Sequence, residues 1–432
     1  MLSIRRGPSI FCFAEKPGMV VPIRQLGITS MTSQIPPPRA RDGTPARPLI
    51  PHEDWDRAPW NRYTFQHVCE FVPTVPVRRG DWVAPVPISF ASLGAVEFES
   101  NGVRQSVDEF LRTSDTDGLL VLYRGAIVAE HYGNGMTQVT SHLSQSMSKS
   151  MVAALAGILA GRGLLDIAAA VTDYLPELAA TAYRDATVQH LLDMTSGVRW
   201  DETYTTPDSD CAKMDAASGW KSRKNDSWPR CMWELICTLT TLECPHGERF
   251  RYRSIETDVL GFTLQRAAGR PLAELMSDEL WGPLGAEQDA YFTVDPAGYA
   301  CASGGFNATL RDYARFALML ANRGTIVGRR VVPEAWVRAT RAGNPALFGA
   351  PYRDVLPNGA YHNQFWLERP VDGPFMARGV FGQILYVDPE ADFAAVKLSS
   401  WPEFVDVARL KTALTALRAI RTGLARVDGT CR

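Results

Sequence analysis

Strand patterns lie at two widely separated places in this chain, and helix patterns fill the segment between them. Two apolar runs at 118–123 and 126–132 meet at an Arg-Gly pair, which predicts a β-hairpin. A second pair, 383–387 and 393–399, turns through an Asp-Pro segment near the end of the chain. Strands at both ends of this pattern, with helices between them, imply one antiparallel sheet that both pairs join. The chain is therefore predicted to be an α/β (α+β) protein whose sheet comes from both chain ends.

The middle of the chain shows helical periodicity and is predicted to form an inserted lobe. Its helices are expected at 148–162, 186–194, 255–268, 271–280, 310–322 and 333–339, and an amphipathic pattern at 405–421 follows the last strand. We place the α/β lobe at about 56–150 and 355–432, and the inserted all-helical lobe at about 151–354. Fourteen of the 29 prolines fall in residues 1–87, so residues 1–55 are expected to form an extended, mobile arm.

Composition excludes several classes of function. With 45 Lys and Arg against 47 Asp and Glu, the net charge is −2, so a basic nucleic-acid-binding face is not expected. The longest apolar run in a helix pattern, 151–160, is much shorter than the ~20 residues that cross a bilayer. The eight cysteines form no C-x-x-C pair, and the first 21 residues lack a signal-peptide core. These features predict a cytoplasmic protein with reduced thiols.

Most motifs of known chemistry are missing. The sequence contains no G-x-S-x-G, no phosphate-binding glycine loop and no H-x-x-x-H spacing, so we expect neither a cofactor nor a metal.

One motif, S-x-x-K, stands at Ser146 and Lys149, directly before the apolar stretch 151–160. At a helix start these side chains share a face, unpaired N–H groups favour a serine alkoxide, and burial lowers the pKa of the lysine. A second match, at Ser218 and Lys221, is followed by polar residues instead of a buried helix.

Three further motifs follow the first S-x-x-K in order. They are V-Q-H-L-L-D-M-T-S-G at 188–197, Y-R-S at 252–254, and S-G-G at 303–305 ahead of R-D-Y-A-R-F at 311–316. Together the motifs resemble those of the penicillin-recognising serine hydrolases, which include class C β-lactamases, esterases and peptidases. The similarity is greater to the 6-aminohexanoate-oligomer (nylon-oligomer) hydrolases of that superfamily, and it runs from about Trp60 through the final helix. This resemblance implies a β-lactamase/transpeptidase-like fold.

The resemblance also implies a role for each matching residue. Ser146 matches the acylated nucleophile, Lys149 its proton-abstracting partner, and Tyr252 the tyrosine that shares the proton relay. A neighbouring ammonium is expected to lower the pKa of this phenol. The backbone N–H groups of Ser146 and Val380 match the oxyanion hole, and Phe381 stands where these hydrolases have a histidine. Since no K-T-G is present, β-lactamase activity is not expected to be the main function.

Four more positions match substrate-binding residues of the oligomer hydrolases. Tyr204 matches a tyrosine that contacts the scissile amide and assists its leaving nitrogen, and Asp215 matches a position where an acidic residue favours a substrate ammonium. Trp220 matches a mobile lid tryptophan, and Ser303 stands where these enzymes have Asn or His. An alternative stays open, in which Asp215 is a solvated loop carboxylate and Trp220 a packing residue.

Three functions remain open at this point. The first is a serine hydrolase that cleaves short linear amides of ω-amino acids through an acyl-enzyme. The second is a carboxylesterase of the same fold. The third is a non-catalytic relative that only binds ligands, which the intact set of Ser146, Lys149 and Tyr252 disfavours. The expected partner is a small-molecule amide or ester, with no nucleic acid and no membrane, and a homodimer is allowed.

Overall fold

A computed structural model describes residues 49–427 of the chain. Its centre is a seven-stranded sheet in which every neighbouring pair is antiparallel. In spatial order the strands are Ala360–His362, Phe365–Leu367, Phe375–Gly379, Gln383–Asp388, Phe393–Ser399, Thr116–Tyr123 and Ala126–Tyr132. Phe393–Ser399 pairs with Thr116–Tyr123, so strands from distant parts of the sequence lie side by side. The predicted antiparallel sheet from both ends of the folded chain is confirmed.

The sheet is covered by helices because both of its faces are apolar. Successive side chains of a strand point to opposite faces, and Leu120 and Val121 illustrate the division. Leu120 belongs to a hydrophobic core that includes the helix Leu310–Ala321, whereas Val121 belongs to a second core with the terminal helix Val407–Val427. The central strands therefore have continuous apolar sequences, as expected for a sheet that is buried on both sides.

A four-stranded antiparallel sheet was not predicted. Its strands, in spatial order, are Thr74–Val77, Ala290–Thr293, Phe306–Thr309 and Ser141–Leu143. Two of these strands fall within 151–354, so that segment is largely helical but also contributes to a sheet. Strands of three or four residues are too short for period-two alternation to be recognised. The helix Leu310–Ala321 of the same segment shares its core with the seven-stranded sheet, so the two lobes are not divided as simply as expected.

The predicted helices form, with shifts at their ends. The α-helices are Asn61–Thr64, Val107–Thr113, Ser148–Gly161, Val171–Tyr174, Val188–Leu192, Asp210–Ala217, Met232–Cys237, Ile255–Ala268, Leu272–Leu275, Gly282–Leu284, Leu310–Ala321, Glu334–Thr340 and Val407–Val427. The expected helix at 271–280 is a short α-helix followed by a π-helical stretch, Met276–Trp281. Small hairpins form at Glu97–Ser100 with Val103–Ser106 and at Thr325–Ile326 with Arg329–Arg330.

Most of the predicted arm, residues 1–48, lies outside the described residues, as do residues 428–432. The folded body begins before residue 56, because Trp55 is completely buried and its indole N–H donates a hydrogen bond of 2.8 Å to the Trp220 carbonyl. Between residues 49 and 427, no helix is both long enough and apolar enough to span a bilayer.

The helix Ser148–Gly161 is the element on which the site depends. All of its residues from 148 to 159 are buried, which agrees with a sequence that is apolar on every side. Hydroxyl groups fix its first turn to distant segments: Ser148 Oγ donates to the Ala302 carbonyl at 2.7 Å, and Ser150 Oγ to the Gln364 carbonyl at 2.6 Å. The start of the helix is therefore rigidly positioned.

Candidate active site

Ser146 lies in a tight turn between a strand and a helix. The strand Ser141–Leu143 ends just before the 3₁₀ turn Gln145–Met147, and the helix Ser148–Gly161 follows directly. Gln145 has a φ of 48°, a left-handed conformation that costs a non-glycine residue of order 1–3 kcal/mol. Gln145 is buried, and the half-buried Ser146 lines a small cavity. A strained turn thus presents the Ser146 hydroxyl to this cavity.

Lys149 contacts this hydroxyl directly. Its Nζ lies 3.1 Å from Ser146 Oγ and donates a hydrogen bond of 2.6 Å to the Ser303 carbonyl. Burial lowers the pKa of Lys149 from 10.5 to about 8, and the nearby Glu202 and Asp258 carboxylates oppose that shift. The arrangement can therefore supply a neutral amine next to the serine near pH 8.

Tyr252 is the third group at the serine. The Ser146 side chain is near enough to lower the pKa of its phenol, and the Lys149 ammonium lies 5.4 Å from the centre of its ring. The ring also stacks on Trp366 at 5.5 Å. Burial, followed by the Glu202 carboxylate, raises the pKa of this phenol, so the expected lowering by an adjacent ammonium is wrong. Tyr252 is a neutral phenol in this environment, and Lys149 is the group whose pKa is lowered.

The predicted oxyanion-hole segment packs against the serine turn. A Cβ atom added at Gly379 would lie 2.6 Å from the Ser144 carbonyl oxygen and 3.0 Å from the Ser146 backbone nitrogen, so only glycine permits this approach. Val380, the next residue, lines the same cavity as Ser146. Phe381 has a φ of 60° and packs its buried ring on Phe404 at 4.5 Å. The replacement of the expected histidine therefore adds to the hydrophobic core.

Glu202 is a residue of the site that the sequence analysis missed. Its carboxylate accepts hydrogen bonds from the Ser254 hydroxyl at 2.6 Å, from the Ser254 backbone N–H at 2.8 Å and from the Trp200 indole. It also acts on the pKa values of Lys149 and Tyr252. Glu202 lies in an irregular segment with no helix or strand period, so only its position two residues before Tyr204 could have pointed to it.

Tyr204 lines the cavity, but its hydroxyl is already engaged. It donates a hydrogen bond of 2.7 Å to Glu202 Oε1, and its ring stacks on Phe404 at 5.4 Å with an interplanar angle of 7°. Burial and the Glu202 carboxylate raise the pKa of this phenol. In this arrangement Tyr204 offers the cavity an oxygen lone pair, while its proton points to Glu202.

Asp215 lines the cavity, and its carboxylate lies close to a lysine that the sequence did not predict to be near it. Lys221 Nζ lies 3.8 Å from Asp215 Oδ2 and 3.1 Å from Asp56 Oδ1. Burial, with the neighbouring Asp56 carboxylate, raises the pKa of Asp215 to about 7. Asp215 is therefore a half-buried carboxylate with charged neighbours, its side chain 32% exposed, and the alternative of a solvated loop residue stays open.

Trp220 lines the cavity. Its side chain is 8% exposed, its indole N–H donates to Thr293 Oγ1 at 3.1 Å, and the edge of its ring packs against Trp55 at 5.2 Å. The cavity beneath it has a volume of about 70 Å³, whereas sites for small-molecule ligands usually enclose about 300–1,000 Å³. A linear amide or ester therefore needs more space than this arrangement provides, and the role of Trp220 as a mobile lid stays a prediction.

The remaining predicted residues have structural partners. Ser303 lines the cavity, and its backbone N–H donates to Asp258 Oδ1 at 3.3 Å while its carbonyl binds Lys149. Ser218, the serine of the second S-x-x-K, also lines the cavity, but its hydroxyl donates to the Asp215 carbonyl at 2.9 Å. Its partner Lys221 is paired with Asp56, so this second motif does not form a serine–lysine pair. Across the described part of the chain, no three His, Cys, Asp or Glu side chains cluster as a metal site would require.

The fold and the site together define a serine hydrolase of the β-lactamase type. The fold has an antiparallel sheet from distant chain segments and a largely helical inserted segment. The site has a serine and a lysine at the start of a buried helix. The family model described as Beta-lactamase matches residues 103–419. The chain belongs to the β-lactamase family of serine hydrolases.

Relatives with assigned names agree with this family. The chain is 36% identical over 355 residues to a 6-aminohexanoate-dimer hydrolase of Paenarthrobacter ureafaciens, a match that covers 81% of this chain and 88% of that protein. It is 29% identical over 188 residues to Esterase EstB of Burkholderia gladioli, which covers 42% of this chain and 46% of the esterase. Among solved structures, a putative 6-aminohexanoate-dimer hydrolase from Bacillus anthracis superposes with a TM-score of 0.81 at 26% identity, covering 90% of this chain and all of that one.

Proposed function

We propose that this serine hydrolase cleaves short linear amides with a free ammonium end, of the 6-aminohexanoate-dimer kind. The observation that supports it best is the half-buried Asp215 carboxylate, which lines the same cavity as Ser146 and shares a single lysine with a second carboxylate. The similarity to the Paenarthrobacter enzyme over most of both chains supports the same substrate class. A carboxylate that is partly removed from water and shares its counter-ion gains a charge-assisted hydrogen bond from a cation that arrives with the substrate.

The first step is acylation of Ser146. Its Oγ attacks the amide carbonyl carbon and gives its proton to the neutral amine of Lys149, 3.1 Å away. The negative charge that develops on the carbonyl oxygen is stabilised by the backbone N–H groups of Ser146 and Val380. The bond from Ser146 Oγ to the carbonyl carbon forms, and the π electrons of the carbonyl move to its oxygen.

The second step is departure of the amine. The oxyanion electrons re-form the carbonyl double bond as the C–N bond breaks, and the leaving nitrogen takes a proton that passes from Lys149 through the Tyr252 phenol, whose pKa the nearby Ser146 side chain lowers. A neutral phenol suits this role because it donates one proton while it accepts another. Water then attacks the acyl-enzyme by the same route in reverse, which releases the carboxylic acid and restores the Ser146 hydroxyl.

A comparison of substrates with and without the ammonium end tests the proposal. We expect Asp215→Asn to lower kcat/KM for the linear 6-aminohexanoate dimer by about ten- to a hundredfold, the value of a charge-assisted hydrogen bond. Hydrolysis of the N-acetylated dimer, which has no ammonium, should change by less than about threefold. The measurement is kcat/KM for both substrates with both proteins. An equal loss on both substrates, or no loss on either, would contradict the proposed substrate class.

A carboxylesterase of the same fold is the second candidate. Tyr204, whose proton was expected to assist the leaving nitrogen, donates it to Glu202 at 2.7 Å. An amine leaving group needs a proton, whereas a p-nitrophenolate does not, and an esterase is among the relatives. If Tyr204→Phe and Asp215→Asn both leave amide and p-nitrophenyl ester hydrolysis unchanged, and the ester is the faster substrate, the esterase function is favoured.

Three further expectations complete the proposal. We infer a cytoplasmic location because six cysteines of the described residues, including the buried Cys211 and Cys301, are free thiols. Titration of the native and unfolded protein with a thiol reagent checks their redox state. The homodimer stays a prediction, which sedimentation velocity tests. The absence of bound nucleic acid is also a prediction, which the ultraviolet absorbance ratio of the purified protein tests.

A further inference from the structure

Asp215 shares its end of the cavity with a second carboxylate. Lys221 Nζ lies 3.1 Å from Asp56 Oδ1 and 3.8 Å from Asp215 Oδ2. Asp56 is 2% exposed, and Asp215 lines the cavity beside Ser146. When all three side chains are ionised, two carboxylates surround one ammonium, and the lysine lies closer to Asp56.

The segment that contains Asp56 is fixed to the neighbouring loop by contacts other than this ion pair. The Trp55 indole donates to the Trp220 carbonyl at 2.8 Å, and the two rings pack edge to face. The Ser222 backbone N–H donates to Glu53 Oε1 at 3.0 Å. Asp56 therefore approaches the loop from a backbone that is held in place independently of its own charge.

We propose that Asp56 determines specificity for cationic substrates by holding Lys221 away from Asp215. While Asp56 neutralises Lys221, the Asp215 carboxylate is left for an ammonium of the substrate. Without Asp56, the flexible side chain of Lys221 turns its ammonium to Asp215 and occupies the position that the substrate ammonium takes. The inference rests on the proposed function, and it makes Asp56 a positioning residue that acts through Lys221.

Two other charged side chains act on Asp215 and have to be considered. Arg57 lowers and Glu202 raises its pKa, both less strongly than Asp56 and Lys221. Arg57 packs over the Phe404 ring at 5.5 Å, and Glu202 is bound by Ser254 and its neighbours. We expect both groups to stay in place when residues 56 and 221 are changed, so a comparison of those variants isolates the competition between Asp56 and Asp215 for Lys221.

The experiment measures a ratio: kcat/KM for the linear 6-aminohexanoate dimer divided by kcat/KM for its N-acetylated form. We expect Asp56→Asn to lower this ratio by about tenfold or more, as loss of a charge-assisted bond would. The double variant Asp56→Asn/Lys221→Met removes the competing lysine as well, and should restore the ratio to within about threefold of the wild-type value. The matched control is Asp226→Asn, a fully exposed carboxylate of the same loop, which should leave the ratio unchanged.

The outcomes separate this inference from the proposed function. A wild-type ratio near one overturns the proposed function itself. A high wild-type ratio that Asp56→Asn leaves unchanged, or a double variant that stays as low as the single one, overturns only the role of Asp56. If Asp56→Asn does not fold, Lys221→Met alone decides: its ratio should equal or exceed that of the wild type, because a competitor has been removed. A lower ratio in that variant would contradict the inference.

Discussion

The pH dependence of hydrolysis follows from the burial of Lys149. If its neutral amine is the base, the pKa of about 8 means that about one tenth of the enzyme is competent at pH 7, half at pH 8 and about nine tenths at pH 9. We therefore expect kcat/KM for an uncharged ester to rise roughly tenfold between pH 7 and pH 9. An uncharged substrate is required, because Asp215, with a pKa of about 7, would otherwise add its own titration.

Glu202→Gln should move this profile in a defined direction. The Glu202 carboxylate is the strongest of the influences that raise the pKa of Lys149 against burial. A nearby opposite charge shifts a pKa by roughly 1–3 units, and Asp258 stays in place, so the midpoint should fall by about one unit. The rise between pH 7 and pH 9 would then shrink from about tenfold to about twofold. Glutamine keeps the size of the side chain and a carbonyl acceptor for the Ser254 hydroxyl.

The assay is the initial rate of p-nitrophenyl ester hydrolysis at the isosbestic wavelength of the product, from pH 6 to pH 10. Since kcat/KM reports the free enzyme, the midpoint belongs to the unliganded site. Glu248→Gln, an exposed glutamate outside the site, serves as the matched control and should leave the midpoint unchanged. A wild-type profile without an inflection near pH 8, or a midpoint that rises in Glu202→Gln, would refute Lys149 as the neutral base.

Three further outcomes follow from the same geometry. Because folding lowers the pKa of Lys149 from 10.5 to about 8, the charged lysine destabilises the fold below pH 8, and wild-type stability should rise as the pH increases from 8 to 10.5. Lys149→Met should therefore raise the free energy of unfolding at pH 7 by about 1–3 kcal/mol in denaturant titrations, while lowering turnover by ~10² or more. Gly379→Ala places a methyl group 2.6 Å from the Ser144 carbonyl, so kcat should fall at least tenfold, and wild-type kinetics would contradict the close packing. Removal of residues 1–48 should leave kcat/KM within about twofold, since the whole candidate site lies in 49–427; a large loss would show that the arm takes part in the site.

The sequence predicted those parts of the fold that are long and periodic. The strand pair Gln383–Asp388 and Phe393–Ser399 and the helix Ile255–Ala268 agree with their patterns within one residue. Ala290–Thr293 and Phe306–Thr309 were missed because four residues give no measurable alternation. Their absence from the prediction made the inserted segment look wholly helical.

The candidate site also contains some residues that the sequence could predict and others that it could not. Ser146 and Lys149 could be found because one turn of helix fixes their relation, and the structure brings Nζ within 3.1 Å of Oγ. Glu202 and Asp56 could not, because they lie in irregular segments and meet their partners only through tertiary packing. The direction of the Tyr252 pKa was also wrong, since the degree of burial of a phenol is not a property of its motif.

The central claim is that Ser146 forms the acyl-enzyme and that Ser218, in the same cavity, does not. A fluorophosphonate probe, followed by peptide mapping of the labelled wild-type protein, tests it most directly. We expect the adduct on Ser146, no adduct in Ser146→Ala, and full labelling in the matched variant Ser218→Ala, whose hydroxyl only donates to the Asp215 carbonyl. An adduct on Ser218, or active protein that takes up no probe, would contradict the account.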